Sequence, residues 1–248
     1  MSYESLKNLP DFAGSWTPLT VPFVLPPPTP TANGAPVAAP PDAQCAAAAA
    51  QGFKPDVVAR CRQALQNQSP ESFRAGNYCR QQPFMGRPPA GGGGAFEILF
   101  TPGRVTMAIE SGLVRRIYVR DKPPAGSLEK SRSGTSIGRW EGATLVVETT
   151  GLDPNGAIVP GSTLGPGAHV LERFSLVDAD TLRIESTLVA PAVLAMPLTA
   201  QQQYRRARDR TFTDFDTCVE GDRSVDRTTG HDRFDKTPPA DLPPPPPN

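Results

Sequence analysis

The chain has 248 residues and a mass of 26.4 kDa, enough to bury one substantial core or two small ones, so neither disulfides nor a metal are needed to make it fold. Its 25 Lys and Arg balance 25 Asp and Glu, so no net field draws it to nucleic acid or to an anionic membrane. Proline (30) and glycine (22) make up about a fifth of the residues, too much for an all-helical protein and too little for a wholly disordered one, so loops and short strands are expected.

The N-terminus, MSYESLKNLPDF, is acidic and polar where an export signal would be basic and then apolar, and cytoplasmic localisation is the expectation. No run of residues approaches the ~20 apolar positions of a membrane span. The cysteines, Cys45, Cys61, Cys79 and Cys218, form no C-x-x-C pair, and there are only two histidines, so no metal site is expected and the cysteines read as thiols.

Residues 1–95 read as an N-terminal arm. The prolines from Pro22 to Pro41 predict an extended stretch. From Asp42 to Gln68, alanine-rich sequence with Val57, Val58, Cys61 and Leu65 at helical spacing predicts two short helices broken around Gly52 to Pro55. From Phe96 the chain becomes a run of strands. FEILF and RVTMAIE flank a Pro-Gly turn, LVRRIYVR follows a Ser-Gly turn, SIGRW and ATLVVETTGL flank Glu-Gly, and AHVLERFSLV and TLRIESTLVA flank residues 178–180. LTAQQQYRRAR and FTDFDTCV extend the run to about nine strands. The expected fold is mainly β, an antiparallel barrel over residues 96–221 with one early strand around Trp16, because closure removes exposed edges. Residues 222–248 read as a polar, proline-rich tail.

Period-two alternation sorts the faces of these strands. Glu172 falls among Val170, Phe174 and Leu176, so a carboxylate points where apolar side chains point; it is either paired with an inward arginine or a general acid/base in a cavity. In LVRRIYVR one face is apolar apart from Arg115, and the other carries Arg116 and Tyr118 about 7 Å apart, a pairing suited to a phenolate or carboxylate. Arg139 and Trp140 fall near a turn, where the indole serves as core or as the wall of a ligand pocket. His169 opens a strand beside a long loop and is placed at the barrel rim, as a structural residue or within reach of a ligand; His231 lies among charged residues and reads as solvated. No nucleotide fingerprint and no nucleophile elbow occurs, so no cofactor is expected.

The segments FEILFTPGRVTMAIE, VRRIY, SIGRWEGATLVVETTG and HVLERF, with the later Cys218, Glu220 and Gly221, resemble a mostly uncharacterised bacterial family of lipocalin-like, or calycin-like, barrels. Gly14 and Trp16 are similar to the Gly-x-Trp start of such barrels. The resemblance covers residues 79–221, roughly 60 % of the chain, and departs from the family's DGRxHP pattern at Val119 to Pro124, which puts any role of that loop in doubt. In exported relatives it implies a pairing of the cysteines that match Cys79 and Cys218. It also implies kinship with cofactor-independent sphingomonad enzymes of lignin-dimer breakdown, the phenylcoumaran gamma-formaldehyde lyases and related decarboxylases.

On that resemblance the expected function is a carbon–carbon lyase that releases formaldehyde from a bulky phenolic substrate to leave a stilbene. Glu172 or His169 would be the base, Arg116, Tyr118 and Arg139 would hold phenolate charge, and Trp140, Tyr204 and Phe174 would line the ring pocket. The alternatives are a decarboxylase and a non-catalytic barrel that binds an apolar or aromatic ligand. The expected partner is an aromatic small molecule, with no nucleic acid and no membrane, and a homodimer is allowed for.

Overall fold

The computed structural model describes residues 3–19, 43–67, 94–109, 114–121, 133–211, 223–225 and 232–234. A short helix α1 (Tyr3–Leu6) precedes β1 (Gly14–Pro18); α2 (Ala43–Ala50) and α3 (Pro55–Asn67) follow, and the strands β2 (Phe96–Thr101), β3 (Arg104–Ile109), β4 (Val114–Val119), β5 (Thr135–Glu141) and β6 (Thr144–Thr150) come next. After the small hairpin β7 (Ala157–Val159) and β8 (Ser162–Thr163), the long strands β9 (His169–Asp178), β10 (Thr181–Val189) and β11 (Leu198–Arg206) complete the sheet. Nine strands close into a barrel in the order β1, β11, β10, β9, β6, β5, β4, β3, β2. The mainly β, lipocalin-like barrel expected from the sequence is the fold observed.

Closure depends on β1, which bridges the two ends of the later run: Trp16 stands opposite Arg206 on β11 and Phe96 on β2. One junction departs from an antiparallel meander. β4 and β5 run parallel, with Ile117 opposite Ser136. Residues 120–134 connect them, about 50 Å of extended chain at ~3.3 Å per residue, against ~20 Å for a six-residue strand. A connection of that length can return the chain to the end from which β4 started. Gly138 on β5 packs inside the barrel, where an added methyl would fall 2.8 Å from Ile117 and 3.2 Å from Leu145.

Two apolar clusters fill the two ends. The first joins Val170 and Leu188 to Phe53, Val57 and Val58 of the helical segment and to Leu164 and Leu194 of the loops. α3 opens on Pro55, whose fixed φ suits a first helical turn. Its far side meets the β7–β8 turn at Gly161, a positive-φ position where a Cβ would lie 2.8 Å from both the Arg60 carbonyl oxygen and Ala64. Lys54 N donates to Val193 O (2.9 Å) and Ala195 N to Gly52 O (3.0 Å), tying the α2–α3 connection to the barrel. Cys45 and Cys61 are joined in a disulfide between α2 and α3, which corrects the expectation of thiols. Helical periodicity places the two sulfurs on the facing sides of neighbouring helices, and a separation of 16 residues in sequence carries no sign of that.

The second cluster contains Phe12, Trp16, Phe96, Ile98, Met107, Ile117, Leu145, Phe174, Leu182 and Tyr204. Arg206 seals this end. Its guanidinium lies 4.4 Å from the centre of the Trp16 ring and donates to the carbonyl oxygens of Asp11 (2.6 Å), Ala13 (2.5 Å) and Ala179 (3.0 Å).

Contacts divide the chain into two units, residues 1–67 with 81–215, and residues 68–80 with 216–248. In the second, β12 (Arg223–Val225) and β13 (Asp232–Phe234) pair antiparallel within the stretch read as a polar tail. The proline-rich arm, Cys79, Cys218, His231 and the strand expected at FTDFDTCV lie outside the described residues.

Candidate functional site

Between the apolar clusters the barrel carries a polar layer. On β9, Glu172 is flanked by Val170 of one cluster and Phe174 of the other; on β10 the corresponding sequence is Leu188, Ser186, Ile184. Ser136 on β5, Thr149 on β6, Arg115 on β4 and Gln202 on β11 are buried as well. Each takes an inward position by strand alternation, as Glu172 was expected to.

Arg115 is the inward arginine that pairs with Glu172. Its Nη1 donates to Glu172 Oε1 (3.0 Å), its Nη2 to Glu172 Oε2 and to Thr149 Oγ1 (3.0 Å), and its Nε to Ser136 Oγ (3.2 Å). Ser136 and Thr149 are also 2.9 Å apart and share a hydrogen. All three guanidinium nitrogens and both carboxylate oxygens therefore have partners, the condition under which a buried ion pair can be kept. Sequence reading noted Arg115 as the one charge on an apolar face but gave it no role. The matching signal was Glu172 on an equally apolar face, and only the ring of strands shows that the two meet.

Tyr204 packs edge to face on Phe96, with ring centres 4.8 Å apart, and its hydroxyl donates to Gln202 Oε1. Burial, and then the nearby Glu172 charge, push its phenol well above the usual tyrosine range. Phe174 is core. Glu172, Val147, Ile98, Met107, Leu182 and Tyr204 have no surface that water can touch, so side chains fill the lumen around them.

The other sequence candidates lie elsewhere. His169, Arg116, Tyr118 and Arg139 occupy alternate positions that point away from the lumen; His169 Nδ1 is 3.2 Å from Gly167 O, and Arg139 pairs with Glu141, which also binds Arg173. The structure thus brings together Glu172, Tyr204 and Phe174 from that set, but not His169, Arg116 or Tyr118. Among the described residues no group of three or more His, Cys, Asp or Glu could hold a metal.

Trp140 ends β5 on the Arg206 side of the barrel. It is half-buried between Phe12, at 5.5 Å, and Phe100, at 6.3 Å, whose rings are tilted and stacked against it. Its indole nitrogen is buried and has no hydrogen-bond partner, whereas Trp16 Nε1 donates to Phe12 O at 2.9 Å. Phe100, Val119 and Leu176 are, like Trp140, only partly buried and pack against the same apolar cluster.

No family model, curated protein or solved structure matches this chain. Among the described residues, no helix is long and apolar enough to cross a membrane.

Proposed function

We propose that the protein is a non-catalytic, lipocalin-like binding barrel that takes a small aromatic molecule on the Trp140 shelf. The unpartnered indole N–H of Trp140 carries this reading. A buried donor without an acceptor costs about 1–3 kcal/mol, which a ligand oxygen, phenolic, ether or carbonyl, would offset while its ring packs on the half-buried Trp140–Phe100 edge of the aromatic cluster. The lyase chemistry implied by the family resemblance asks for a free base facing a cavity. Both oxygens of Glu172 are engaged by Arg115 in a filled lumen, and His169 faces outward, which favours binding over turnover. The disulfide bears on compartment. Such bonds persist where thiols are oxidised, so this reading goes with an extracytoplasmic protein more readily than with the cytoplasmic one expected from the N-terminus.

Only two tryptophans exist, and Trp16 is fully buried, so quenching by contact with a ligand reports on Trp140, and the Trp140→Phe variant isolates the Trp16 emission. Titration with a panel of lignin-type phenolic dimers should quench emission saturably in the wild type and not in Trp140→Phe, with no product by mass spectrometry. Formaldehyde release in step with stilbene formation would overturn the binding reading in favour of the lyase; no quenching with any dimer would overturn the shelf as the site.

A further inference from the structure

The outer face of the barrel wall, behind the inward-facing Phe100 and Val119, carries a cluster of cations that the proposed function does not use. Arg104 on β3 stands directly opposite Tyr118 on β4, and Arg116 stands opposite Thr106 two pairs further along, on the same face. Cross-strand neighbours of this kind have Cβ atoms about 5 Å apart, and residues two apart on a strand are about 7 Å apart. Arg120 completes the group, its guanidinium 5.3 Å from the centre of the Tyr118 ring. Three arginines therefore share one patch of the sheet with Tyr118, and Arg120 lies over its ring.

Several other surface arginines are neutralised, Arg60 by Asp56, Arg139 and Arg173 by Glu141, and Arg208 by Asp180, whereas Arg62 on α3 is exposed and, among the described residues, has no ion-pair partner but stands apart from other cations. Among the described residues none of Arg104, Arg116 and Arg120 has an ion-pair partner. Neither Glu97 on β2, Glu148 on β6 nor Asp121 beside Arg120 reaches them, and Arg104 Nε is buried without an acceptor. Like charges held this close repel, and an anion between them relieves the repulsion. Apolar side chains flank the cluster on both sides. Ile137 lies across from Tyr118 on β5, and Leu99, 46 % exposed, lies across from Thr106 on β2.

We infer that Arg104, Arg116 and Arg120, grouped around Tyr118, form an anion site on the outer barrel face for a small aromatic carboxylate. Guanidinium forks match the planar carboxylate two bonds at a time, and the ring rests on Leu99 or Ile137. The site is separate from the Trp140 shelf and does not depend on it.

The full chain, labelled with nitrogen-15, is titrated with sodium benzoate at constant ionic strength, with acetate and inorganic phosphate as parallel arms. Saturable shifts should centre on β3 and β4, and the affinity should exceed that for acetate or phosphate by roughly tenfold. The charge-neutral Arg116→Gln/Arg120→Gln variant should bind at least about tenfold more weakly, while Arg62→Gln, an exposed arginine on α3, and Trp140→Phe should bind as the wild type does. Equal affinity for all three anions would overturn the aromatic class, and non-saturating shifts or wild-type affinity in the double variant would overturn the site. Loss of benzoate binding in Trp140→Phe would also overturn it, by moving that ligand to the shelf.

Discussion

Arg115 holds both carboxylate oxygens of Glu172 inside the barrel across a sequence separation of 57 residues. This pair is the only charge in a lumen otherwise lined, among the described residues, by apolar and neutral polar side chains, and its energetics are asymmetric. Removing one partner strands the other, whereas replacing both removes the desolvation cost along with the attraction.

Glu172→Gln should accordingly lose about 3–5 kcal/mol of stability. Arg115→Met with Glu172→Leu should recover most of that loss. Chemical denaturation of the three proteins checks this, and a Glu172→Gln variant as stable as the wild type would mean that the pair is not formed.

Arg206→Lys keeps the charge over Trp16 but cannot reproduce three separate bonds to the Asp11, Ala13 and Ala179 carbonyls. A loss of about 1.5–3 kcal/mol is expected, the scale of one hydrogen bond from a charged donor. The melting temperature should fall, with a shift in Trp16 emission that persists in a Trp140→Phe background.

Reduction should loosen the helical segment before the barrel. The Cys45–Cys61 bond closes a loop of 16 residues, for which chain entropy gives about 3 kcal/mol. Cys45→Ser/Cys61→Ser should show faster amide hydrogen exchange in α2 and α3 while strands β9 to β11 keep their protection. In the unreduced, denatured wild type these two cysteines should not react with a thiol reagent.

Tyr204 sets an alkaline limit. Its folded phenol holds its proton more tightly than the unfolded one, so this contribution to stability is complete below the ordinary tyrosine range near 10 and is lost as pH rises from there towards the folded value. One of the four tyrosines should therefore ionise only when the protein unfolds in alkali. Absorbance at the phenolate band, followed beside circular dichroism, should lose that delayed step in Tyr204→Phe.

The alternation of apolar and polar residues determined which faces turn inward. Glu172, Phe174 and Arg115 were legible for that reason, as were the hairpins and the two helices, because each follows from contacts within a few residues, and the barrel class followed from the need of so many short strands to leave no exposed edge. Pairings between distant strands carry no such local mark. That Arg115 would meet Glu172, that β4 and β5 would run parallel, and that Cys45 would find Cys61 depended on closure, which sets strands separated in sequence side by side at one level of the barrel. Alternation along the strands, not closure, separated His169, Arg116 and Tyr118 from Glu172. A one-residue step along a strand reverses the direction of a side chain, so residues near one another in sequence ended on opposite sides of the barrel wall.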